Sequence, residues 1–121
     1  MKKKLGTKLE DLLRQKNEPI PKELQKKLDK ERAADFFTQG VELLKQGSYM
    51  DSLPPLFTAL TLDPKLVKAS NNLAAAFWKL DCPTLAVEMV RRTLSVDPDN
   101  RTAQKHLDLM STEDNELDHN S

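Results

Sequence analysis

A repeat with a period of about 34 residues, the length of a helix-turn-helix unit, constrains this chain more than any other feature. Asp63-Pro64 recurs one period on as Asp97-Pro98, and each closes a similar stretch. When residues 49–64 are laid over 83–98, Leu53 meets Val87, Leu56 meets Val90, Leu60 meets Leu94 and Leu62 meets Val96. A helix-turn-helix unit of this period cannot bury its apolar faces alone, so it stacks on a copy of itself. The period predicts an all-α chain, a short helical solenoid behind an N-terminal helical extension.

With 121 residues the chain is one domain's worth, enough for a modest core. Its 19 basic and 19 acidic residues balance overall but are unevenly placed. Residues 1–32 hold eleven Lys/Arg against six Asp/Glu, residues 33–100 six against eight, and residues 101–121 two against five. A basic start and an acidic end thus flank a nearly neutral centre. The expected organisation is a basic helical extension over 1–32, a repeat domain over 33–110 and a disordered acidic tail over 111–121.

Thr7-Lys8-Leu9-Glu10 fits a capping box, with Thr7 and Glu10 serving each other's helix-start amides. A short helix from about Lys8 to Lys16 follows and ends before Pro19, since a proline disfavours helical geometry in the residue before it. Pro21 suits the first position of a new helix, which meets no breaker until Gly47. Further helices are expected near 49–62, 67–80, 84–96 and 100–111. Pro54-Pro55 is an irregularity, because each proline removes an amide from a helix interior. A start near Ser52, with Ser52 as cap and both prolines in the first turn, resolves it.

The repeat carries a recognisable set of positions. The first copy, about 33–66, has Phe36, Gly40, Leu43, Gly47 and Tyr49 at the turn, small Ser52 and Ala59, and closing Pro64. The second, about 67–100, keeps Leu73, Ala74, Phe77, Ala86, Val90 and Pro98. It departs at Asp81 and Pro83, where Gly and Tyr are usual, and at Thr93, where Ala is usual. Arg101 begins a third first-helix, with Ala103 matching Ala69 and Leu107 matching Leu73. This pattern resembles the tetratricopeptide repeat (TPR) family over about residues 33 to 110. The resemblance implies a TPR-type solenoid in which the first helix of each pair lines a concave face. That places Phe37, Val41 and Leu44 on the face from the first repeat, and Asn71, Asn72, Ala75 and Trp78 from the second. Lys68 and Lys79 fall at its edges, and Lys105, His106 and Leu109 come from the third first-helix. A different role for Phe37 and Trp78 is packing against the extension before Ala33. One TPR subfamily clamps acidic chaperone tails with five Lys, Asn and Arg side chains. Only Asn72 matches such a position, with Phe37, Val41, Thr102 and His106 at the others, so the chain is not a dicarboxylate clamp.

Other chemistries find little footing. The three glycines match no phosphate-loop pattern, and His106 and His119 have no partner at metal-ligand spacing. No GxSxG turn occurs, so neither catalysis, a metal nor a cofactor is expected. Cys82 is the only cysteine, which excludes an internal disulfide and suits a reducing compartment. No stretch approaches the roughly 20 apolar residues of a membrane span. The expected location is the cytoplasm, with the nucleus or a cytosolic organelle surface as alternatives. Leu9-Glu10-Asp11-Leu12-Leu13 resembles an LxxLL box that docks as a short helix, although its leucines suit a solenoid cap better.

The leading functional expectation is a non-catalytic adaptor whose partner is a protein or peptide segment. An alternative is a co-chaperone or organelle-import receptor that recognises an amphipathic segment through Phe37, Val41 and Trp78. A reading of another class has the basic start, Lys2-Lys3-Lys4 with Lys8, Arg14 and Lys16, contacting phosphate on nucleic acid or membrane. Acidic Glu10, Asp11 and Glu18 interrupt that run and no aromatic is available to stack on bases, which disfavours nucleic acid. Two repeats and a fraction fall short of the three or so that make a solenoid self-sufficient. The N-terminal segment is therefore expected to dock on the repeats, or the chain to form a homodimer.

Overall fold

The computed structural model describes residues 10–12, 14–15 and 18–119, with side chains up to residue 111. Six helices occur among the described residues, and no strand. They are α1 (10–12 and 14–15), α2 (Lys22–Lys45), α3 (Tyr49–Leu62), α4 (Val67–Lys79), α5 (Pro83–Val96) and α6 (Arg101–His119). From α2 onward each helix packs on the next, and α4 also touches both α2 and α6. Among the described residues α3 and α5 do not meet. The first helices of successive pairs thus converge on one side while the second helices splay on the other, and a stack built this way curves around its first helices. None of these helices is long and apolar enough to cross a membrane.

The two copies close their turns identically. Gly47 sits at φ 76° and Asp81, its counterpart in the second copy, at φ 61°. In each turn an amide reaches back over the helix end, Ser48 N–H to Leu43 O at 2.9 Å and Cys82 N–H to Phe77 O at 2.9 Å. This is the Schellman closure, which needs a left-handed residue. Asp tolerates that conformation better than most side chains, so the turn survives the loss of glycine. The second helices end alike too, at Asp63 (φ −134°, ψ 88°) and Asp97 (φ −134°, ψ 87°), just before the paired prolines.

Small residues let the helices approach. Gly40 is buried in α2, and a Cβ there would lie 2.5 Å from Cγ and Cδ2 of Leu56 in α3. Ala74 holds the matching place in α4, fully buried. Around these contacts the core runs through Ala33, Leu56, Ala59, Leu73, Ala86, Val90, Ala103 and Met110. Phe57 and Phe77, tilted at 60° with ring centroids 5.9 Å apart, join α3 to α4.

Two expectations are corrected. Helix α3 begins at Tyr49, not Ser52, and carries Pro54 and Pro55 in its interior. Ser52 is no cap: its amide donates to Ser48 O at 3.0 Å, and its hydroxyl, fully buried, to Tyr49 O at 2.6 Å. The prolines remove the bonds that would reach the carbonyls of Met50 and Asp51. Both residues are exposed, so water can serve those carbonyls, while burial of Ser52, Leu56 and Ala59 holds the helix in phase. Pro21 is the residue before α2 rather than its first, and its carbonyl accepts from Gln25 N–H at 2.9 Å. The backbone of α6 is helical through His119. No glycine or proline follows Pro98, so nothing local ends the helix sooner.

Thr7, Leu9 and Leu13, and with them the capping box and the LxxLL pattern, lie outside the described residues. Glu10 is among the described residues, and its side chain reaches α2. Its carboxylate is buried, accepts two bonds from Arg32 at 2.6 Å and pairs with Arg14 as well. Arg32 lies one turn beyond buried Leu28 on the same face of α2. Glu10 is thereby tied to α2, a continuous helix over Lys22–Lys45.

Candidate partner-binding surface

The face lined by first helices is built from α2, α4 and α6. On α2 its apolar members Phe37 and Leu44 are partly buried against the core, and Val41 is partly buried one turn from each. On α4, Asn72, Ala75 and Trp78 are partly buried, with Lys68 and Lys79 exposed. The spacing 68, 72, 75, 79 is a single helical stripe, so these four share one side of α4. On α6, Lys105 is exposed, His106 partly buried, and Leu109 is 62% exposed.

Asn71 does not share this face. It is only 8% exposed, and its amide donates to Asn100 Oδ1 at 3.1 Å. Asn100 in turn accepts from Ala103 N–H at 3.0 Å and donates to Asp97 at 3.1 Å. Asn100 therefore caps α6, and Asn71 steadies that cap from the preceding first helix. Its neighbour Asn72 stays accessible.

Between α4 and α6 the face opens into a cleft of about 190 Å³. Ala75, Trp78 and Lys79 form one wall, His106, Leu109 and Met110 the other. Trp78 packs on the core and also lines this cleft, so its indole is shared between fold and surface. Burial holds the His106 imidazole below its usual range, because removing water penalises the charged form. Its Nδ1 is enclosed without a hydrogen-bond partner. The neutral ring is the form this wall favours.

Two features were not anticipated from the sequence. Met110, buried at the foot of the cleft, had a findable signal, since it follows Ala103 and Leu107 on the inner stripe of α6. The clasp of Glu10 on Arg32 had none. The first helices bring together Ala75, Trp78, Lys79 and His106, whereas Phe37, Val41 and Leu44 stand at the α2 end of the face. No family model matches the chain, and no curated protein matches it in sequence.

Proposed function

We propose that this chain is a non-catalytic interaction module of the tetratricopeptide type, an adaptor that holds a short segment of a partner protein across its first-helix face. The observation that carries the reading is the cleft at the α4–α6 junction, where Trp78 and the outward Leu109 offer apolar surface beside cationic Lys79. Interfaces are built around such anchors, with polar groups at the rim. The recurrence of the first copy in the second, the left-handed turns at Gly47 and Asp81 and the close Gly40–Leu56 contact support the family assignment within the reading.

The test compares proteins retained by the full chain and by two variants. Leu109→Ser alters the proposed face, and Met50→Ser alters an exposed apolar position on α3. Partners kept by Met50→Ser and lost by Leu109→Ser support the reading. Identical retention by all three chains counts against it.

A further inference from the structure

The geometry points to a specific occupant for the α4–α6 cleft: one bulky apolar side chain of a partner segment, flanked in that segment by carboxylates. This assignment rests on the interaction-module reading and adds the chemistry of the ligand to it.

Size comes first. A volume of about 190 Å³ lies below the roughly 300–1,000 Å³ of sites that enclose whole small molecules. The cleft has room for a side chain, not for a cofactor. Ala75, Trp78, Leu109 and Met110 make its walls largely apolar, so an aliphatic or aromatic group fits their chemistry.

Charge then selects the neighbours of that group. Lys79 lines the cleft, Lys68 lies on the same stripe of α4, and Lys105 is one turn from Leu109 on α6. None of these three lysines has a carboxylate partner among the described residues, and no acidic side chain lines the cleft. Elsewhere on the surface Lys45 pairs with Glu42 and Arg91 with Glu88. Carboxylates on either side of the anchor would complement the open cations. Such complementarity sets specificity and association rate more than affinity.

His106 adds a proton linkage. An apolar occupant removes further water from the imidazole, so binding favours the neutral ring and acidification opposes it. Among the described residues, Lys79 from α4 shares the cleft with it, and Lys105 and Asp108 are its charged neighbours along its own helix. Helix α5, packed on α6, turns Ala86, Val90 and Thr93 inward and keeps Glu88, Arg91 and Arg92 exposed.

The experiment titrates the full, isotope-labelled chain with capped octapeptides while amide NMR shifts are followed. Each peptide carries a central leucine or phenylalanine flanked by glutamate, glutamine or lysine. Glutamate-flanked peptides are expected to bind at least about tenfold more tightly than the others, with shifts centred on Ala75, His106 and Leu109. Leu109→Ser should weaken all binding, whereas a Lys79→Gln/Lys105→Gln double variant should erase only the preference for glutamate. Affinity should fall between about pH 7.5 and 5.5, where glutamates stay ionised, and His106→Gln should flatten that fall. Equal binding of lysine- and glutamate-flanked peptides at the cleft overturns the proposed ligand and leaves the module reading standing. Shifts confined to α3 and α5, or none with any peptide, overturn both.

Discussion

At the scale of single residues, three side chains have consequences that can be measured. Asp81 occupies the left-handed position that Gly47 fills in the first copy, at a steric cost glycine does not carry. Asp81→Gly should raise stability by about 1 kcal/mol in chemical denaturation, while Gly47→Asp should lower it. Ser70 and Thr93 share a buried hydroxyl pair at 2.6 Å between α4 and α5. Ser70→Ala alone strands the Thr93 hydroxyl and should cost about 1–3 kcal/mol, with Thr93→Val added to it recovering part of the loss. Additive losses in that double-mutant cycle would mean the pair is not coupled. His106 has a folded-state pKa below 6.5, so the unfolded chain takes up its proton first. Its contribution to stability is complete above pH 6.5 and lost as pH falls through the lowered folded value. Denaturation midpoints should decline across that window in the native chain and less in His106→Gln.

At the scale of elements, the approach of α2 to α3 depends on what is missing at Gly40. Any side chain there meets Leu56 at 2.5 Å, and a large one forces the helices apart. Gly40→Leu should cost about 1–3 kcal/mol, and Ala74→Leu should be clearly destabilising too. Lys65→Leu, on the exposed turn after α3, should leave the melting temperature nearly unchanged. Equal melting of all three variants would show that the helix phase is misassigned. Helix α3 shows how far packing overrides local preference. Two adjacent prolines favour a helix that starts at Ser52, yet the buried stripe Ser52, Leu56 and Ala59 pulls the start back to Tyr49.

At the scale of the whole molecule, the stability of a stack of few helices depends on what covers its first one. The clasp of Glu10 on Arg32 joins the chain around residue 10 to the face of α2 that carries buried Leu28. Removing residues 1–19 leaves α2 entire and should lower the melting temperature or produce association between chains, read by light scattering. The same melt and a monomeric mass would show that the segment contributes no cap. Arg32→Ala should be more harmful than Glu10→Ala. The first leaves a carboxylate only 3% exposed without the Arg32 nitrogen that bonds both its oxygens, and the second leaves arginines that already reach water.

The sequence alone determined the number and type of repeat helices, the turns between them and the stripe each turns inward. These are local properties, written twice in succession along the chain, and apolar periodicity reports them directly. The candidate face came from the resemblance to the tetratricopeptide family, not from the period itself. Only tertiary structure decided between Asn71 and Asn72, because neighbours on a helix differ by about 100° and the packing of α6 determines which one is covered. It alone joined Glu10 to Arg32, 22 residues apart, and Ser70 to Thr93, 23 apart. It also opened the cleft between α4 and α6. Such features depend on where one element lies against another, and a period within a helix carries no information about that placement.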